Sequence, residues 1–254
     1  MDTPAKQLLD DLRVAVAFLT RLPMPHPDGA VSPNFARAHR LFPLVGAMIG
    51  ATIGLVYVGL MEINVPPVGA AALSLGVGML LTGALHEDGL ADLADGLGGG
   101  RDKAAKLEIM RDSRLGTFGA LALLVAFVAK VSALAALPRA AILPSLITAH
   151  AVARAPMTIM AMMMPNARED GLSATAGMLD SATAVTAVVV ALAIAFLVLP
   201  WAEALGSALT AAMAAFTVGV LAQRQIGGKT GDVLGGAEQV GETAILLLLA
   251  SLHR

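Results

Sequence analysis

The 254-residue chain contains no cysteine. Disulfides, thiolate nucleophiles and Cys-ligated zinc are therefore excluded, and the redox compartment stays undetermined. Aromatic residues supply only 4% of the chain and charged residues 14%. Soluble domains carry about 25% charged residues, so an ordinary globular domain is excluded as well. The N-terminus also lacks the basic-then-apolar layout of a cleaved leader: Met1 to Asp11 are polar and acidic. What is abundant is apolar sequence, 57% of the chain, with a mean hydropathy of +0.76. The net charge of −2 decides little, because the placement of charges matters more than their sum.

A membrane helix needs roughly 20 mostly apolar residues. Such runs occur near 42–61, 66–85, 115–137, 141–164, 182–201 and 204–222, and a shorter one covers 243–252. The expected fold is all-α: a polytopic transmembrane bundle of six to seven spans, forming a single integral membrane domain over 1–254. Glycines such as Gly46 and Gly50 fall inside the spans, where small residues let helices pack closely. Over residues 5–20, Leu8, Leu9, Leu12, Val16 and Leu19 recur at helical spacing, with Lys6, Asp10, Asp11 and Arg13 on other faces. That pattern predicts an N-terminal amphipathic helix on the membrane surface.

Basic residues orient the bundle. The N-terminal region carries Lys6, Arg13, Arg21, Arg37 and Arg40, and segment 86–114 carries Arg101, Lys103, Lys106, Arg111 and Arg114. Segment 165–181 has Arg168, and 223–242 has Arg224 and Lys229. The intervening loops have one basic residue or none. These four segments are therefore expected in the cytoplasm, and the charge alternation agrees with spans read independently from hydropathy.

Chemistry concentrates in 86–114. Asp88, Asp92 and Asp95 are spaced i, i+4, i+7, which places them on one stripe of a helix. Three carboxylates in a stripe repel unless a cation joins them, and magnesium takes such oxygen ligands together with substrate phosphates. Glu108 and Asp112 repeat the i, i+4 spacing. The surrounding Arg and Lys residues fit phosphoryl groups, and they also suffice to set topology. Gly116 to Gly119 offers a backbone that a phosphate can approach. Arg154, with His150, lies inside an apolar span, where a charge costs about 2.5–3.5 kcal/mol on insertion scales and needs a carboxylate or phosphate partner. A second functional loop, 223–242, holds the glycine-rich run Gly227 to Gly236 with Lys229 and Asp232, then Glu238 and Glu242. It lacks P-loop spacing.

Together these motifs resemble the adenosylcobinamide-GDP ribazoletransferases, the cobalamin (5′-phosphate) synthases of the bacterial inner membrane. The likeness rests on Arg21-Leu22-Pro23, Phe42-Pro43-Leu44-Val45-Gly46, His86-x-Asp88-Gly89-Leu90-Ala91-Asp92-x-x-Asp95-Gly96, the run Leu107 to Gly119, and Gly228-x-Thr230-Gly231-Asp232-x-Leu234-Gly235. Gly236 replaces an expected Ala. The resemblance implies a magnesium-dependent transfer from adenosylcobinamide-GDP to α-ribazole or its 5′-phosphate, releasing GMP. It implies corrinoid nucleotide and ribazole substrates, lipid surroundings and no nucleic acid; homo-oligomerisation stays open.

On that reading Asp88, Asp92, Asp95 and Glu108 are the metal ligands, and Asp112, Asp92 and Asp95 the catalytic set, with Asp112 as general base. His86, Arg101, Arg111, Arg114, Arg154, Lys229, Asp232 and Glu238 are the expected substrate and phosphate contacts. Two other readings stand beside it. Asp92-x-x-Asp95-Gly96 with Glu108-x-x-x-Asp112 resembles a CDP-alcohol phosphotransferase loosely. A secondary transporter would instead concentrate its acids at the bilayer midplane.

Overall fold

The computed structural model describes residues 3–25, 34–170 and 179–253, and the described residues are almost wholly helical. Helix α1 spans Pro4–Leu19, capped by Thr3. A short helix α2, Phe35–Ala38, runs through a 3-10 turn, His39–Leu41, into α3, Phe42–Glu62. Helices α4, Pro67–Thr82, and α5, Leu85–Gly99, follow. Then come α6, Lys103–Ile109, α7, Thr117–Ala136, and α8, Arg139–Met163. Helix α9 is Ser181–Val198, α10 is Trp201–Ile226 and α11 is Gly231–Leu252. The expected polytopic helical bundle is what forms.

Among the described residues, six helical segments are long and apolar enough to cross a membrane: α3 with α2 and its leading turn, α7, α8, α9, α10 and α11. The α4–α5 pair passes the same test jointly but is bent by 92°. Both α3 and α7 begin at the charge-rich end of the bundle, so α4 carries the chain back between them and is the seventh crossing. Helix α5 turns away across that end and lies outside the crossings. The bend is made by two successive left-handed residues, Gly83 (φ +66°) and Ala84 (φ +56°). Glycine adopts that conformation freely, whereas alanine pays for it.

Six spans match the hydropathy reading to within a few residues. The short end segment 243–252, left open by hydropathy, is the last part of a full-length helix. Thr230 caps α11 by accepting from the Val233 amide at 3.2 Å, so the helix starts twelve residues before the apolar run 243–252 and is long enough to cross. Most of the glycine-rich loop is thereby its first turns. The segment 86–114 is likewise two helices, α5 and α6, with Asp102 capping α6.

Helices α3 and α8 pack most closely. A Cβ on Gly50 would strike the Leu146 carbonyl, and one on Gly46 the His150 carbonyl and the Arg154 stem. Large apolar side chains such as Leu55, Leu124, Val189 and Phe216 point outward, as lipid-facing residues do. Helix α1 forms as the amphipathic pattern predicts, with one departure on its polar face. Leu8 and Leu9 are exposed, while Ala15, Val16 and Leu19 pack inward. Asp11, expected on the polar face, is buried and pairs with Arg37 at 2.8 Å and Arg40 at 2.7 Å. This ion triad docks α1 onto the start of α3.

Candidate active site

A cavity of about 270 Å³ opens at the charge-rich end. One wall comes from α5 and α11, through His86, Asp88, Gly89, Asp232 and Gly235. These helices meet backbone to backbone, since a Cβ on Gly89 would lie 3.3 Å from both the Asp232 and the Gly235 Cα. Close approach brings Asp232 beside the α5 acids. Asp92 is half-buried one turn beyond Asp88. Burial, then the neighbouring Asp88, Asp232 and Asp95 carboxylates, push its pKa up to about 7, and Arg168 offsets this in part. Arg168 lines the cavity and reaches Asp232 at 3.6 Å.

Arg168 is held there by a short backbone clasp. The Ala167 amide donates to the Lys229 carbonyl and the Lys229 amide to the Pro165 carbonyl, both at 2.8 Å. Gly228 permits this, because a Cβ there would collide with the Pro165 carbonyl. Lys229 also lines the cavity; its ammonium donates to the Met164 carbonyl at 2.6 Å, and burial lowers its pKa.

The expected stripe of three acids divides. The Asp95 carboxylate accepts from the Gly116 amide at 2.7 Å and the Gly119 amide at 2.8 Å. It therefore caps α7, and the glycine backbone expected to receive a phosphate is already occupied by this acid. The α6 pair is not drawn into the cavity lining. Glu108 is exposed, and Asp112 forms an exposed ion pair with Arg114 at 2.5 Å. That hydrogen-bonded guanidinium holds the Asp112 pKa below the usual carboxylate range. Arg111 pairs with Asp170 at 2.7 Å, and Arg101 is exposed.

Beneath the cavity lies a second cluster inside the spans. Arg154, 1% exposed, pairs with Glu238 at 2.7 Å, and His86 meets the same carboxylate at 3.2 Å. Lys130 pairs with Glu242 at 2.5 Å and contacts Gln239 at 2.7 Å; His150 meets Glu242 at 2.9 Å. Arg154 has thus found the carboxylate partner that its place in a span demanded. Lys130 and Gln239 were not singled out by sequence, and neither was Arg168. Lys130 was findable by the argument applied to Arg154, being a lone charge within the apolar run 115–137. Arg168 gave no local signal, since only the clasp to Lys229 brings it to Asp232.

Among the described residues, His150, Glu238 and Glu242 are the acid–histidine set whose ligand atoms come within 4.8 Å of one another. Lys130 and Arg154 already neutralise those carboxylates. At the cavity the chemistry of the donors is different. Asp88, Asp92 and Asp232 gather three carboxylates near Arg168 and Lys229, and burial first, then the neighbouring carboxylates, raise the Asp92 pKa. Oxygen donors with uncompensated negative charge fit a hard divalent ion.

The family profile for cobalamin-5-phosphate synthase matches residues 11–250. The chain belongs to this family. A Bradyrhizobium diazoefficiens relative named adenosylcobinamide-GDP ribazoletransferase is 45% identical over 253 residues, covering 98% of this chain and 96% of its own length. Relatives of the same name from Mesorhizobium japonicum and Rhizobium etli are 38% and 40% identical, each covering at least 93% of both sequences. No solved structure matches. This member of the cobalamin-5-phosphate synthase family is thus a multi-pass membrane transferase.

Proposed function

We propose that the protein transfers the adenosylcobinamide phosphoryl group from adenosylcobinamide-GDP to α-ribazole or α-ribazole 5′-phosphate, releasing GMP. The observation that carries this reading is the acid cluster Asp88, Asp92 and Asp232, of which Asp88 and Asp232 line one cavity with Arg168 and Lys229. Asp88, Asp92 and Asp232 would hold magnesium. When bound, the ion neutralises negative charge building on the pyrophosphate and on the departing GMP. Arg168 and Lys229 bind phosphate oxygens at the same wall and orient them. Asp95 fixes the start of α7 against α5, so the carboxylates stay in register. Arg111 and Arg114 stand on the exposed α6–α7 turn and act there through Asp170 and Asp112.

Cytoplasmic placement of this end follows from its Lys and Arg content, and it is where nucleotide substrates are available. The transporter reading draws on the ion network within the spans. Its carboxylates are paired with Lys130 and Arg154, and the adjoining cavity is only about 20 Å³, roughly one probe sphere for a water. No substrate passes such a space. The loose phosphotransferase likeness rests on Glu108 and Asp112 facing the α5 acids, and these two are exposed on the α6 side instead.

The test is GMP release by purified protein in lipid, given adenosylcobinamide-GDP, α-ribazole and magnesium. Release that needs all three is expected. Hydrolysis without acceptor, or turnover that persists in chelator, would overturn the assignment.

A further inference from the structure

The cavity has a second wall that the transfer chemistry does not use. It is built by α1, α2 and the start of α3: Phe18, Phe35, His39 and Phe42. The chain has only seven phenylalanines, and three of them converge here. His39 stacks on Phe42 with ring centroids 4.1 Å apart and 24° between planes, and Phe18 stacks on Phe42 at 5.5 Å and 16°. Phe35 meets His39 and Phe18 edge-on, at 5.1 Å and 4.8 Å. His39 is 4% exposed, and neither ring nitrogen has a hydrogen-bond partner among the described residues. A buried imidazole with both nitrogens idle is costly unless a ligand completes it.

We propose that this aromatic wall is the subsite for the flat heteroaromatic base of the acceptor nucleoside, which lies against the part-exposed Phe18 and Phe35 rings, backed by buried Phe42, while its edge meets His39, which hydrogen-bonds its free ring nitrogen. The inference rests on the transfer reading, and it assigns the orientation of the acceptor: base toward α1 and α3, sugar toward Asp88 and Asp232 on the facing wall. Stacking on aromatic faces is how proteins hold unpaired bases. Size and polarity choose the occupant. A corrin ring does not fit in about 270 Å³. Guanine presents a full edge of donors and acceptors, whereas this wall offers one imidazole among apolar rings. A benzimidazole nucleoside, with one ring nitrogen to satisfy, matches it.

The wall also explains the Asp11 triad. Arg37 and Arg40 flank His39 in sequence, and their ion pairs to Asp11 fasten the α1 side of the wall to the α3 side.

The test separates base from sugar on the wild-type protein. Calorimetric titration with benzimidazole, ribose 5-phosphate and GMP is run on protein in lipid nanodiscs, without donor. Benzimidazole should bind and compete with α-ribazole; ribose 5-phosphate and GMP should not displace it. Displacement by GMP would place the donor's base on this wall and overturn the assignment. Phe18→Leu and His39→Phe are then compared in turnover. The stacking loss in Phe18→Leu should raise the acceptor KM by about 5- to 150-fold, with the adenosylcobinamide-GDP KM unchanged. His39→Phe keeps a ring in place and should still raise the acceptor KM. An unchanged acceptor KM in both variants, with normal thermal melting, would overturn the proposal. If wild-type protein releases no GMP, the transfer reading fails, while benzimidazole binding still reports separately on the wall.

Discussion

Asp92 is the side chain on which the site's charge balance is most visible. Its folded-state pKa of about 7 lies above the ordinary carboxylate value, so folding disfavours its ionised form. The contribution to stability is therefore complete at low pH and is lost as pH rises through about 7. In chelator, the melting temperature should fall as pH rises from about 4 to about 7 and level off above that, and Asp92→Asn should flatten that fall. Magnesium binding competes with the proton, so apparent magnesium affinity should strengthen over the same interval and then level off. A pH-independent affinity would remove Asp92 from the ligand set. Asp112 presents the opposite case. Its low pKa and exposure make it a weak proton acceptor, so Asp112→Asn should keep activity within about tenfold. Loss of a general base costs typically 10²–10⁴-fold, and a loss in that range would restore the role the motif implied. The i, i+4 spacing was legible in the sequence for both acids. What each carboxylate touches was not, because α6 faces away from the cavity and α11 returns from far along the chain.

Among the elements, α11 shows most clearly how folding overrides local polarity. Its first four turns carry Asp232, Glu238, Gln239 and Glu242, so hydropathy alone finds only the apolar end. The helix crosses because Lys130 of α7 and Arg154 of α8 neutralise the two glutamates. Removing one partner of a buried pair costs about 3–5 kcal/mol, since the other charge is left bare. Lys130→Met should therefore lower stability strongly in detergent unfolding. Lys130→Met combined with Glu242→Gln should recover much of the loss. Equal destabilisation in the single and double variants would mean that Lys130 acts through packing alone. The spans themselves were legible because each is a long apolar run. The bend between α4 and α5 was not, for Ala84 in a left-handed conformation leaves no trace in composition.

For the molecule as a whole, the absence of cysteine becomes an experimental asset. Single cysteines at Lys103, in the charge-rich end, and at Asn64, in the α3–α4 turn, report orientation without background. Impermeant maleimide applied to intact cells should label the Asn64 position and not the Lys103 position. The reverse pattern would invert the topology and separate the site from cytoplasmic nucleotides. The bundle and its charge asymmetry were readable from hydropathy and from Lys and Arg placement. The cavity was not, since its walls come from segments far apart in the numbering, Phe18 to Phe42, Leu85 to Gly89 and Lys229 to Gly235, and no local pattern links them.

That split has a consequence for biogenesis. The aromatic wall leaves the ribosome early, but Asp232 and the helix bearing it are made some two hundred residues later. A nascent chain therefore has no complete substrate site until α11 enters the bilayer. By then Lys130 and Arg154 are already in place and unpaired, so insertion of the last two acids of the network is also the step that quenches them.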